Sequence, residues 1–234
     1  FEAYAEGNPD VVAEYLPVRH DPAAPTLTNE VTTIAAFEPD VFISMTAGNP
    51  CLLAIQEVEA AGLLDDLLVA FTPSVCKGIA AYMAPAGMAA DEWWIVGGGG
   101  KDTTDPKHID EPFIKFVNEN LADGGLDPAI SLYGIGYAYG YPHAEAMRVA
   151  AELPGGLTRT NFILAVRNID IYAPMTLDGI TTAMNGAVDG YFVEGSDFSQ
   201  FDATEQTWNM VGDVVDANGA SPNCAWDKDN GGCR

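Results

Sequence analysis

Four consecutive glycines and a lysine, Gly97-Gly98-Gly99-Gly100-Lys101, are the residues here most suggestive of phosphate chemistry. A phosphate loop needs Gly, four residues, then Gly-Lys-Ser/Thr, so that main-chain N–H groups cradle the phosphate and the hydroxyl holds magnesium. The residue after Lys101 is Asp102, and Ile95 stands where the first glycine belongs, so the pattern is not met. No G-x-G-x-x-G lies between a first strand and its helix, which removes the dinucleotide fingerprint. His20, His108 and His143 are scattered and sit in no HExxH arrangement, and no serine occupies a G-x-S-x-G elbow. Asp227-Lys228-Asp229-Asn230-Gly231 opens like a calcium loop without completing its ligand pattern and reads as a solvated acidic tail. No catalytic set, metal site or cofactor motif emerges. The unusual loops are Thr46-Ala47-Gly48-Asn49 and Thr72-Pro73-Ser74, small and hydroxyl-bearing stretches between a strand and a helix. Such loops offer N–H groups and a favourable helix dipole to an anionic ligand, although ordinary strand-to-helix turns use the same residues.

The elements that position these loops follow from the apolar spacing. Val11 to Val18 has strand composition and ends in turn formers, His20-Asp21-Pro22. Thr26 to Phe37 carries Leu27, Val31 and Ile34 at helical spacing, with Thr26 or Thr28 available as N-cap and Pro39 as a stop. The apolar run Val41 to Met45 predicts a strand covered on both faces. Pro50 then opens a helix that presents Leu52, Ile55 and Val58 and ends at Gly62. Leu67 to Phe71 and Glu92 to Val96 are further strands. Strand–helix–strand with short connections predicts parallel βαβ units and an α/β architecture. Open α/β sheets bind ligands outside the carboxyl ends of their strands, where both loops fall.

Gly97–Gly100 interrupts this pattern as a hinge, a linker or a main-chain contact to a ligand. Beyond it, Pro112 to Leu121 is helical with Phe113, Phe116 and Val117 on one side. An aromatic stretch with Tyr133, Tyr137, Tyr139 and Tyr141 runs into a helix from about His143 to Leu153. Thr158 N-caps another helix, ending near Ile169. Past Asp178 the chain turns glycine-rich and strand-like, through Tyr191-Phe192-Val193 and then Trp208 to Val215.

With 48% hydrophobic residues over 234 positions the chain can bury a real core. Its 34 Asp and Glu against 10 Lys and Arg give a net charge of -24, a surface that repels nucleic-acid backbones and anionic lipid heads. No run reaches the roughly 18 apolar residues of a membrane span. Cys51, Cys76, Cys224 and Cys233 form no zinc-like spacing; they fit two disulfides and an oxidising compartment, or four separate buried thiols.

Several of these segments resemble the type I periplasmic substrate-binding proteins of ABC transporters, with the branched-chain amino acid-binding group nearest. Leu27-Thr28-Asn29-Glu30-Val31 through Phe37-Glu38-Pro39-Asp40-Val41-Phe42 is similar to that family's helix and "P-D-v-v" strand. Ala54 to Leu63 resembles the following helix, which closes with "A-G-L". Tyr141-Pro142-His143-Ala144-Glu145-Ala146-Met147 and Leu157-Thr158-Arg159 to Ile169 resemble two later helices. The resemblance implies two lobes of parallel sheet flanked by helices and joined by a hinge. Residues 1–96 would be part of lobe two, 97–194 the second segment of lobe one, and 195–234 the return to lobe two with a tail. Phe1-Glu2-Ala3-Tyr4 reads as mid-helix, so the N-terminal part of the family fold is expected to be missing from this sequence.

On this resemblance the ligand wall comprises Thr46, Ala47 and Gly48 from one loop and Thr72, Pro73 and Ser74 from the next, with Tyr137 and Tyr139 approaching from lobe one. Many amino-acid-binding members place a carboxylate at about Ser74 and a tyrosine at about Ala47, so a neutral, aromatic or purely anionic ligand is expected at least as much as a free amino acid. The same layout puts Cys51 and Cys76 in loops after adjacent strands, implying pairs 51–76 and 224–233. The implied protein is a non-enzymatic, extracytoplasmic and monomeric receptor. It takes a small organic solute to an ABC permease, with no cofactor, no nucleic acid and no membrane insertion of this segment. An α/β enzyme with part of its site upstream, or a ligand-sensing domain of a signalling receptor, is the alternative.

Overall fold

In the computed structural model, which describes residues 2–220, 226–227 and 232–233, helix and strand alternate from Thr28 to Val96. Helices α1 (Glu2–Gly7) and α2 (Thr28–Ala35) precede β1 (Val41–Ile43), α3 (Asn49–Ala60) and β2 (Val69–Pro73). A tight turn at Ser74–Cys76 and a wide helical turn at Ile79–Met83 lead through the single turn α4 (Ala84–Ala86) to β3 (Trp94–Val96). Three helices follow, α5 (Pro112–Asp123), α6 (Ser131–Glu152) and α7 (Arg159–Arg167). The chain returns through β4 (Gly195–Ser196), β5 (Phe198–Asp202), β6 (Thr207–Met210) and β7 (Val215–Asp216). A short antiparallel pair, β8 (Trp226–Asp227) with β9 (Gly232–Cys233), closes the described part.

The main sheet has the order β1-β2-β3-β5-β6. β1, β2 and β3 are parallel, with Phe42 opposite Ala70 and Thr72 opposite Ile95. β5 joins β3 antiparallel and β6 joins β5, so the α/β class holds with a mixed sheet. Its covered face packs Phe42, Ile55, Val58, Met83, Trp93, Ile95, Phe201 and Trp208 into one core. Phe42 meets Trp93 edge-on at 5.8 Å, and each such fully buried side chain stabilises the fold by about 1.5–3 kcal/mol. Among the described residues, 101–194 adds no strand to this sheet. Its helices bury two smaller clusters, Ile114, Val117, Leu121 and Met175 in one, and Ala146, Ala150, Ala165 and Ile169 in the other.

Local chemistry accounts for the elements. Gly62, with φ 70°, follows α3 in the left-handed conformation that a Cβ disfavours. The Thr158 hydroxyl accepts from Asn161 N at 3.1 Å, satisfying one open donor at the start of α7. At α2 the Thr26 hydroxyl accepts from Thr28 N, just ahead of the first turn.

Four expectations need correction. Val11 to Val18 is irregular rather than a strand: Val11 is 70% exposed, and no ladder partner lies beside it. β1 is covered on one face only, burying Phe42 and leaving Val41 and Ile43, which point to the other face, each 44% exposed. The buried stripe of α5 is Ile114, Val117 and Leu121, an i, i+3, i+7 set that turns Phe116 outward. Tyr191–Val193 is irregular; the returning strand is β5, whose Ser199 and Phe201 alternate inward.

Candidate ligand site at the strand ends

The loops after β1 and β2 lie side by side because the two strands are parallel neighbours. Gly48, at φ 67° and ψ -139°, turns the first loop into α3, whose second position is Pro50. Cys51 in the first turn of α3 is bonded to Cys76 in the turn after β2, with Cα atoms 5.5 Å apart. This is the pairing implied by the resemblance; the 224–233 pair lies outside the described residues. The Thr46 hydroxyl is buried, sharing a 2.8 Å hydrogen bond with Ser44 Oγ and lying 3.6 Å from Cys76 Sγ. The Thr72 hydroxyl is also buried and has no hydrogen-bond partner among the described residues. Ala47, Gly48 and Ser74 are exposed and Pro73 half-buried, so these four present the open surface while Thr46 and Thr72 lie beneath it.

Next to Ser74 the chain leaves and re-enters the sheet. Gly97 N donates to the Asp197 carbonyl and Gly98 N to Ser196 Oγ, each at 3.2 Å, so the two crossing segments run together. Gly98 and Gly99 have φ of 58° and 73°, and a Cβ on Gly99 would overlap Ile180 Cδ1. The glycine run is thus required both by its conformation and by a close approach. Between Ser74, Gly97, Gly100, Asp102 and Thr103 lies a cavity of about 90 Å³, which Gly134 and Ile135 of α6 also line. That is room for a few waters and well short of the roughly 300 Å³ of the smallest organic-ligand pockets.

Charges knit this junction. Lys77 Nζ donates to Asp197 Oδ2 and to the Gly100 carbonyl, both at 2.9 Å, and Ser199 Oγ donates to the same carboxylate oxygen at 2.6 Å. Asp102 accepts from Ile79 N at 2.7 Å and from the Thr104 hydroxyl at 2.8 Å. Burial nevertheless holds its carboxyl above the usual range, those bonds offsetting only part of the desolvation. For Glu111 the balance is reversed. Burial pushes it up, but Lys101 Nζ at 2.7 Å and His108 Nδ1 at 2.8 Å prevail and hold it below the usual range. Among the described residues no three His, Cys, Asp or Glu side chains converge as metal ligands. The exposed surface at the strand ends includes the small residues Ala47, Gly48 and Ser74.

The two tyrosines lie elsewhere. Tyr137 meets Phe116 edge-on at 6.2 Å and lines a groove of about 570 Å³ between α5 and α6, with Phe113, Leu132, Tyr133 and Tyr141. Tyr139 is 70% exposed, and its carbonyl accepts from His143 Nδ1. Residues not singled out by sequence are Lys77, Asp102 and Asp197. A lysine three positions past a strand-end loop in a lysine-poor chain was the available signal for the first; nothing local marks the other two.

No protein-family model and no curated protein matches the chain. Solved structures do. A solute-binding protein of an ABC transporter from R. palustris in complex with 4-hydroxybenzoate matches with TM-score 0.63 and 12% identity, over 92% of this chain and 56% of that one. A branched-chain amino acid ABC transporter protein from Thermus thermophilus with bound valine matches at 0.62 and 12%, over 82% and 50%. A fatty acid ABC transporter substrate-binding protein from Thermomonospora curvata matches at 0.60 and 15%, over 86% and 49%. The chain spans about half the length of these structures. Over that half, its fold is the fold of the type I periplasmic binding proteins.

Proposed function

We propose that this chain belongs to an extracytoplasmic solute-binding protein, which captures a small organic molecule between two lobes and hands it, untransformed, to the permease of an ABC importer. The observation that carries the reading is the convergence of the carboxyl ends of β1, β2 and β3 on the paired crossings at Gly97–Gly100 and Gly195–Asp197, in a chain of this fold. Residues 1–96 and 195–234 then form one lobe and 97–194 belong to the other, with closure as a hinge motion about the crossings. The protein acts as a monomer.

Ala47, Gly48, Pro73 and Ser74 make the solute contacts from the sheet side, supported by Thr46 and Thr72. No carboxylate stands among these residues to pair with an ammonium, and a buried unpaired charge is costly. An organic or aromatic acid therefore suits the wall better than a free amino acid. The 4-hydroxybenzoate and fatty acid named for two of the similar structures support that class, while the valine named for the third is a free amino acid. A thermal-shift panel of amino acids, aromatic acids and aliphatic carboxylates tests the reading. A specific solute raises the unfolding midpoint in step with ln(1 + [L]/Kd), and a panel without any such solute contradicts it.

A further inference from the structure

The chain has 10 Lys and Arg against 34 Asp and Glu, and the structure shows what six of those few cations are bonded to. Lys77 and Lys101 are held inside, on Asp197 and Glu111. Lys107 donates to the Trp208 carbonyl and Asn209 Oδ1, and Arg167 to the Gly186 carbonyl. On the surface, Lys115 is paired with Asp110, and Arg148 with Glu145 and Glu152. Arg19 and Arg159 are exposed, and Lys228 and Arg234 lie outside the described residues; ten cations in all leave most of the 34 carboxylates, among them the exposed Glu59, Asp65, Asp66, Glu119 and Asp123, without a compensating charge.

A net charge of magnitude about 2–8 keeps a small domain soluble, and -24 is several times that. The excess works against folding, since compaction brings like charges together and unfolding separates them. Salt decides how strongly. The screening length is about 8 Å at 0.15 M and about 3 Å at 1 M, so only molar salt confines each carboxylate's field to its immediate surroundings. We infer that this protein is built to work at molar ionic strength, and that a dense atmosphere of small cations holds its acidic surface in the folded state. The inference rests on the charge inventory and stands independently of the solute reading.

The test is thermal unfolding of the full chain, followed by tryptophan fluorescence, from about 0.05 to about 3 M KCl. The midpoint is expected to rise by more than about 10 °C, with most of the rise below about 1 M, where the screening length shrinks fastest. Salt also strengthens apolar burial, so two controls accompany it. Sucrose, which is excluded from the surface without screening charge, is expected to give less than half of the rise. A variant with Glu59→Gln, Asp65→Asn, Asp66→Asn, Glu119→Gln and Asp123→Asn is expected to unfold at a higher temperature in dilute salt and to show a shallower dependence. A midpoint flat to within about 2 °C, an equal rise in sucrose, or an unchanged salt dependence in the variant overturns the inference.

Discussion

The Lys77 ammonium lies 2.9 Å from Asp197 Oδ2 and, at the same distance, from the Gly100 carbonyl oxygen. One side chain from the turn after β2 thereby holds both segments that connect the sheet to the helices. The pair is nearly dry, with side-chain exposures of 12% and 1%, and Asp197 Oδ1 has no hydrogen-bond partner among the described residues. Lys77→Met strands a buried carboxylate and is expected to cost about 3–5 kcal/mol in urea unfolding. Adding Asp197→Asn removes the stranded charge and is expected to recover at least half of that loss. Additive losses in the double variant would show that the two groups act independently.

The disulfide is a second support for the strand-end loops. Cys51 and Cys76 are 25 residues apart in sequence, so releasing them in a Cys51→Ala, Cys76→Ala variant is expected to cost on the order of 3 kcal/mol, through the freedom regained by the unfolded chain. Peptide mapping without reductant is expected to recover 51–76, and also 224–233 as the resemblance implies. A crossed pair contradicts the layout.

Glu111 and Asp102 give opposite pH dependences. The carboxyl of Glu111 is held below its usual range in the folded state, so its contribution is present above the ordinary carboxylate pKa and is lost as pH falls through the lower folded value. Glu111→Gln is expected to lower stability by about 2 kcal/mol at neutral pH, because Lys101 is left buried without its carboxylate. The difference from the parent vanishes in strong acid. Asp102 is held above its usual range, so its contribution is present below the ordinary pKa and is lost as pH rises through the folded value. Urea midpoints measured across the acid range check both signs.

Gly99 tests the crossing itself. It has φ 73°, and a Cβ there would overlap Ile180 Cδ1 and approach the Gly195 carbonyl oxygen to 3.0 Å. Gly99→Ala is expected to cost about 2 kcal/mol or more, from the left-handed conformation and the crowding together. Gly100→Ala, with open space at its Cβ position and no positive φ, is expected to cost less than half as much in the same denaturation measurement.

The parallel strands and their helices were legible because each is a short local pattern with a clear stop. Leu27 and Val31, Ile55 and Val58, and Gly62 each occupy the role that their spacing predicts. The first half of α6 was not legible: Gly134, Gly136, Gly140 and Pro142 all argue against a helix, and packing against α5 overrides them. β5 escaped because Phe198–Asp202 mixes polar and apolar residues and becomes a strand only by pairing with β3, about 100 positions earlier. The strand-end loops could be named from sequence because they follow recognisable strands. Lys77 and Asp197 could not be joined, because 120 residues separate them and only the fold brings them together.

The central claim is that a solute is held at the carboxyl ends of β1 and β2. Hydrogen exchange of the protein with and without the best solute from the thermal-shift panel tests it most directly. Slower exchange is predicted at residues 46–48, 72–74 and 97–100, and Ser74→Trp, which fills the surface, should abolish it together with the midpoint shift. Protection confined to the α5–α6 groove around Phe116 and Tyr133, and insensitive to Ser74→Trp, would contradict the claim.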